Sequence, residues 1–118
     1  MALQSFKDLI VWQKSQVLSF NVYREFVSCR DYGFKDQIQR AAISIMNNTA
    51  EGYGRRSDKV LAHFLTIARG SAAEVESMLL MAHQLGYIDE HIRDRLLNQT
   101  EEVAKLLTGF MNKIHATS

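Results

Sequence analysis

Apolar residues recur at helical spacing along most of the chain. In each stretch they return at steps of three, four and seven, which is the period of an α-helix with one buried face. Short polar or glycine-containing breaks separate these stretches, and neither a proline nor a low-complexity run interrupts them. The pattern predicts four helices, at about residues 7–28, 34–54, 57–85 and 89–115.

The breaks carry residues that suit helix ends. Ser57 or Asp58 can cap the third helix, Asp89 can cap the fourth, and Gly86 can end the third. Each helix is about 30–44 Å long, and the connections are about two to seven residues. Long helices with short links run antiparallel to their neighbours. We therefore expect an all-α fold in a single domain over residues 1–118, an antiparallel up-down-up-down four-helix bundle.

The first helix has more apolar residues than one buried face requires. One set comprises Phe6, Ile10, Val17, Phe20 and Val27. A second set, on a different side, includes Val11, Leu18 and Val22. A helix that is apolar nearly all round is buried on several sides, so we expect one face to pack on another copy of the chain. The candidate interface residues are Val11, Trp12, Leu18, Val22 and Phe26.

Polar residues follow helical steps on the second and third helices, and an antiparallel arrangement brings parts of the two lines together. We expect a structural network here, because an unpaired polar group at a buried position costs about 1–3 kcal/mol. One expected bond of this network is an ion pair of Glu51 or Glu74 with Arg40 or Arg69. The expected members are Ser44, Asn48, Glu51, Arg69, Ser71 and Glu74.

The sequence NNTAEGYGRR at residues 47–56 joins the second helix to the third. Its glycines, Gly52 and Gly54, can release the chain from the helix and adopt positive φ. Two arginines then precede a helix N-terminus, where free N–H groups favour anions, and a tyrosine offers a ring on which a base can stack. One interpretation is a corner that contacts the phosphates of RNA or DNA; the other is a solvated turn with ordinary arginines. The candidate contacts are Arg40, Tyr53, Arg55, Arg56 and Lys59.

Composition narrows the range of functions. The 14 Lys and Arg residues against 13 Asp and Glu give a net charge of +1, so total charge does not indicate a nucleic-acid-coating protein. The single cysteine, Cys29, forms no internal disulfide, which fits a reducing compartment. The apolar run LIVW at 9–12 is far too short to span a bilayer, and no secretion signal is present. We therefore expect a cytoplasmic protein with no membrane partner.

The residue types that carry catalysis or bind metals do not form the usual motifs. None of the four histidines has the Glu three residues earlier that di-metal bundles use, and no Cys/His cluster exists. The segment GYGRRS at 52–57 lacks P-loop spacing, and there is no Gly-x-Ser-x-Gly elbow. We therefore predict no catalysis, no metal site and no cofactor.

Several stretches together resemble the four-helix-bundle proteins of the 23S rRNA intervening-sequence family. They are FKDLIVWQKS at 6–15, DQIQRAAISIMNNTAEGYGR at 36–55, FLTIARGSAAEVE at 64–76 and LGYID at 85–89. The resemblance covers nearly the whole chain. It implies a bacterial cytosolic bundle that forms a ring-like homo-oligomer, since members and relatives form pentamers. The related accessory proteins of diversity-generating retroelements are such rings, and they bind nucleic acid and a reverse transcriptase.

The chain departs from the family pattern at two places. Members often have Ile-Pro-Ser-Asn-Ile-Ala-Glu-Gly where this chain has residues 45–52, so the proline and any kink it gives are absent. A common Arg-Arg pair appears here as Gln39 and Arg40, which removes one positive charge. The leading expectation is a pentameric scaffold that associates with nucleic acid. The alternative is an adaptor that binds a protein partner without nucleic acid.

Overall fold

The computed structural model describes residues 5–117, which form one short 3-10 turn and four α-helices. The turn is Phe6–Asp8, and the helices are α1 (Ile10–Glu25), α2 (Tyr32–Gly54), α3 (Asp58–Gln84) and α4 (Glu90–Thr117). No strand occurs among these residues. The predicted all-α class with four helices is confirmed.

The four helices lie side by side along one axis. The 28-residue α4 is about 42 Å long, close to the 45 Å long dimension of the molecule. Each short connection therefore reverses the direction of the chain. Helix α1 packs on α2 and α4, and α3 packs on the same two helices, but no described Cα atom of α1 lies within 8 Å of one of α3. They occupy diagonally opposite corners of the bundle.

The core is a column of mainly aliphatic side chains drawn from all four helices, with Phe26 just after α1. The largest fully buried side chains include Leu18, Phe26, Ile38, Ile45, Leu65, Leu79, Leu96 and Leu107. Each contributes on the order of 1.5–3 kcal/mol by leaving water. Buried hydroxyls are satisfied locally, because each donates to the carbonyl one turn earlier. Ser19 also donates to the Ala42 carbonyl at 3.0 Å and so ties α1 to α2.

Helix ends follow the predicted capping residues. The Ser57 hydroxyl accepts the N–H three residues on at 3.4 Å, and the Asp89 carboxylate does the same at 2.8 Å. Gly86 has φ of 78°, and backbone hydrogen bonds from Gly86 and Tyr87 return to the last turn of α3. This is the Schellman arrangement that ends many helices. These three end signals are confirmed.

The predicted first helix is wrong at its start. Phe6–Asp8 forms a 3-10 turn capped by Ser5, and the extended backbone of Leu9 separates this turn from α1. The break brings the Phe6 ring edge-on to Trp12, with centroids 5.1 Å apart. The aromatic pair thus packs the turn against the first turn of α1.

The connections α1–α2 and α3–α4 meet at one end of the bundle. The Tyr87 hydroxyl donates to the Asp31 carboxylate at 2.7 Å, and the Phe34 ring packs edge-on against Tyr87 at 5.4 Å. The hydrogen bond from Tyr87, followed by that from the Phe34 N–H, lowers the pKa of Asp31, and the same tyrosine–carboxylate bond raises the pKa of Tyr87. The two loops are thus linked while Asp31 is charged and Tyr87 is protonated.

None of the helices in the described part of the chain is both long enough and apolar enough to cross a membrane.

Gly52 lies inside α2 and packs directly against α3. A Cβ atom on Gly52 would lie 2.7 Å from the Phe64 Cβ and 3.2 Å from the Leu61 Cδ1. The predicted positive φ at Gly52 and Gly54 is therefore wrong, since both residues are helical and the positive φ of this region falls on Arg56. Gly52 permits two helix backbones to approach where any side chain would collide.

Gly52→Ala should lower the free energy of unfolding by about 1–3 kcal/mol, because the added methyl group must displace α3. Gly54→Ala is the matched control, since a Cβ there meets nothing within 4 Å. It should be neutral or stabilising by up to about 1 kcal/mol through helix propensity. Urea unfolding followed by circular dichroism measures both changes. Equal effects at the two glycines would contradict the close-packing role.

Candidate functional site

Three of the predicted polar residues form a network between α2 and α3. The Asn48 amide donates to the Ser44 carbonyl at 2.8 Å and to the Ser44 hydroxyl at 2.9 Å. The Ser71 hydroxyl of α3 donates to the same Ser44 hydroxyl at 2.9 Å. The network is partly buried and joins positions 27 residues apart in the chain. It fixes the register of the two helices.

The expected ion pairs between α2 and α3 do not form among the described residues. Arg40 pairs instead with Asp36 at 2.9 Å, and Glu51 pairs with Arg55 at 2.5 Å. Both pairs join residues four apart, the first within α2 and the second between α2 and its C-cap residue Arg55. That spacing places two side chains on the same helix face without any contribution from tertiary structure. The ion pair within one helix therefore forms in place of the pair across two helices.

The two charged members on α3 also find other partners. Arg69 donates to the hydroxyl of Thr108 on α4 at 3.4 Å. Glu74 accepts from the amide of Gln37 on α2 at 3.4 Å. Both groups are exposed, and these long contacts add little to stability. The polar line predicted across α2 and α3 therefore divides into the partly buried network of Ser44, Asn48 and Ser71 and several solvent-exposed pairs.

The basic corner lies at the junction of α2 and α3, and its arginines differ in their surroundings. Arg55 is held by Glu51 and lies over the Phe64 ring at 5.7 Å from its centroid. The side chains of Arg56 and Lys59 are exposed and form no ion pair or hydrogen bond with any described residue. Arg56 also has a φ of 58°, in the left-handed region that a side chain makes unfavourable.

Two other predicted contacts do not belong to this corner. Arg40 precedes Arg55 by fifteen positions on one helix, which places it about 22 Å away. Tyr53 is half-buried and packs against the core, so its ring is not an open stacking platform. The corner itself consists of Arg55, Arg56 and Lys59.

An open polar cavity of about 560 Å³ adjoins the corner, with Phe6, Asn47, Glu51 and Arg55 in its wall. Asn47 and Glu51 are one helical turn apart, so the sequence held a signal for that pair. Phe6 is brought here by the 3-10 turn and gave no such signal. The corner thus has a cationic side and an adjoining aromatic and amide side.

The α1 residues predicted for an oligomer interface lie in the core of the monomer instead. Buried against the neighbouring helices are Val11, Leu18, Val22 and Phe26. Trp12 is half-buried against Phe6. The assignment is corrected because small Ser15 and Ser19 lie on the same side and let that side of α1 approach its neighbours.

The other predicted apolar set faces solvent except for Phe6, which is half-buried against Trp12. We define the α1 face as Ile10, Val17, Phe20 and Tyr23 on α1, together with Val27 in the turn that follows it. Exposed fractions are 60% for Ile10, 53% for Val17, 62% for Phe20 and 66% for Val27. Its end at Ile10 continues into an open apolar groove of about 490 Å³ between α1 and α4, where Leu106 and Phe110 lie.

Residues 5–117 contain no group of three or more His, Cys, Asp or Glu side chains placed to hold a metal ion. His83 contacts the guanidinium of Arg93 at 3.2 Å, and Cys29 is half-buried near the α1–α2 connection. The candidate surfaces are therefore the basic corner and the α1 face.

Comparison with known proteins adds a family and a fold. The model of the 23S rRNA-intervening sequence protein family matches residues 7–109. The chain is similar to a solved Bacteroides thetaiotaomicron protein, described as a protein with unknown function from the S23 ribosomal protein family. The two share 25% identity with a TM-score of 0.81, over 86% of this chain and 98% of that chain. No curated protein matches this sequence.

Arg56→Gly should raise the free energy of unfolding by roughly 0.5–1 kcal/mol, because glycine adopts the left-handed conformation without steric cost. Arg55→Gly is the control, since Arg55 is right-handed and in contact with Glu51 and Phe64. It should destabilise the protein. Urea unfolding at neutral pH compares the two, and destabilisation by both would show that Arg56 is not strained.

Proposed function

We propose, since this chain belongs to the 23S rRNA-intervening sequence protein family, that it is a non-catalytic scaffold that assembles with copies of itself through the α1 face. Self-assembly is supported by one observation above all, the row of exposed apolar side chains along α1. Contiguous apolar surface of this kind on a small domain marks an interaction site. By family resemblance the assembly is a ring-like pentamer, and the absence of a cysteine pair supports a cytoplasmic location.

Burial of the α1 face against another copy is favourable for a physical reason. Each large apolar side chain that leaves water contributes on the order of 1.5–3 kcal/mol when it becomes fully buried. Four side chains of the face are more than half exposed in the monomer. The monomer therefore keeps in water a surface that self-association would remove.

The double change Val17→Gln and Phe20→Gln should weaken self-association at least about tenfold, because it removes two apolar contacts from each interface. Light scattering after size-exclusion chromatography at micromolar concentration measures the mass. Circular dichroism should show an unchanged fold, since both side chains are exposed. The control is Tyr32→Gln, which removes an aromatic group that is 71% exposed but lies outside the α1 face. A wild-type chain that is monomeric in this experiment would overturn the proposal.

The basic corner provides a second candidate function, contact with RNA phosphates. Supporting it are Arg56 and Lys59, two exposed cations that no described carboxylate neutralises. Their placement beside the N-terminus of α3 favours an anion. Repetition of the corner around an assembly would raise avidity without any new contact.

Binding of a labelled single-stranded RNA, followed by fluorescence anisotropy across a salt series, tests the corner. The double change Arg56→Ala and Lys59→Ala should reduce the slope of log K against log salt by about 1.4, as expected for two lost phosphate contacts. The control is Arg40→Ala, which removes an arginine that is paired with Asp36 and distant from the corner.

Flat anisotropy at low salt would overturn the RNA role. The adaptor alternative would then gain support if a protein partner still copurified with the wild-type chain after nuclease treatment.

A further inference from the structure

The polar cavity beside the basic corner has the size and the mixed chemistry of a ligand site. Its volume of about 560 Å³ lies within the range of about 300–1,000 Å³ that is usual for small-molecule sites. One face of α2 supplies most of the wall, with residues at steps of three and four: Asn47, Ala50, Glu51 and Gly54. Phe6 and Arg55 complete it. From Asn47 to Gly54 the cavity extends about 10 Å along the helix.

Gly54 is not explained by packing within the monomer. A Cβ atom there would meet nothing within 4 Å, and the φ of Gly54 is not positive, so neither a close neighbour nor a left-handed turn requires glycine. Any larger residue at this position would extend into the cavity that Gly54 lines. Ala50, one helical turn earlier, is also small. The two residues leave a low apolar floor on which a flat ring can lie.

Asn47 presents an unused side-chain amide at this cavity. It is exposed, and its amide forms no hydrogen bond with any described residue, whereas the amide of the adjacent Asn48 donates twice to Ser44. A planar amide offers one acceptor beside one pair of donors. Adenine offers the complementary pair, N6 as donor and N7 as acceptor, and asparagine pairs with adenine in this bidentate way. Guanine has acceptors at both corresponding positions and matches only half of the amide.

An aromatic ring and neutralised charge accompany the amide. The Phe6 ring is half-buried and held edge-on by Trp12, which gives the cavity wall an ordered surface for stacking of a base. The ion pair of Glu51 with Arg55 offsets the carboxylate, so the wall does not repel a phosphate. Arg56 follows directly in the chain, and its side chain has no described partner. A base in the cavity therefore has cations beside its phosphate.

We propose that this cavity binds an adenine base of single-stranded RNA. The Asn47 amide pairs with the edge of the base, the Phe6 ring stacks on it, and the basic corner contacts the flanking phosphates. The inference rests on the RNA contact proposed for that corner and names the base that accompanies it. Phosphate contacts provide affinity without reading sequence, so Asn47 is the residue that selects the base.

The test compares labelled oligoadenylate and oligouridylate of equal length by fluorescence anisotropy at low salt. The wild type should bind oligoadenylate at least about fivefold more tightly, as expected for one bidentate contact. Asn47→Leu keeps the size of the side chain but removes its hydrogen bonds. It should bring the ratio of the two affinities close to one and leave the affinity for oligouridylate unchanged. The control is Asn98→Leu, which changes an exposed asparagine on α4, the helix diagonal to α2.

A second variant, Gly54→Leu, fills the cavity without removing any contact. It should weaken binding of oligoadenylate at least about fivefold, because the base can no longer stack. Circular dichroism should show an unchanged fold, since the added side chain meets open space. Gly70→Leu is the matched control, because Gly70 is also helical and unobstructed but lies on α3, outside the cavity. It should bind like the wild type.

Competition with AMP distinguishes a strand from a free nucleotide. AMP should displace the labelled oligoadenylate only at millimolar concentration, because it lacks the neighbouring phosphates that the basic corner contacts. Displacement at micromolar AMP would overturn the assignment to a strand.

Two further outcomes separate this inference from the RNA role on which it rests. An affinity ratio that Asn47→Leu leaves unchanged would overturn the adenine site, while salt-dependent binding of both strands would leave the phosphate contact intact. A wild-type chain that binds neither strand at low salt would remove both the RNA role and this inference.

Discussion

The close contact between α2 and α3 at Gly52 is the constraint on which the rest of the structure depends. It lets two helix backbones approach at a position where even a methyl group would collide with Phe64. At that separation the hydroxyls of Ser44 and Ser71 form a hydrogen bond, which fixes the register of α2 and α3. The basic corner lies beside this contact, between the last turn of α2 and the Ser57 cap of α3. Its position therefore depends on both the helix packing and the local cap.

The corner is less cationic than its sequence indicates. Arg55 forms an ion pair with Glu51, so only the side chains of Arg56 and Lys59 in this corner have no described partner. Local pairs four residues apart form because the helix alone places their side chains together, whereas a pair across two helices needs both backbones in register. The strained backbone at Arg56 lies in this corner, where an unfavourable conformation is retained although glycine would relieve it.

Exposed apolar side chains are concentrated on two diagonal helices of the bundle, α1 and α3. Across the described residues, the large exposed apolar side chains lie on α1, on α3 or at the end where the α1–α2 and α3–α4 connections meet. The helices between them, α2 and α4, have a more ordinary division between buried and solvated sides. This uneven distribution of apolar surface is the observation on which the proposed self-assembly rests.

The sequence by itself determined the four helices, three of their end signals and the family. Ser57, Asp89 and Gly86 act within one or two turns, so their effects are readable from local spacing. Only the tertiary structure decided which side of α1 is buried, because two apolar sets with helical spacing satisfy the same period. It also decided the role of Gly52, since a glycine that allows positive φ and one that allows close packing look identical in sequence. Periodicity defines the faces of a helix, but only the packed neighbours decide which face each one covers.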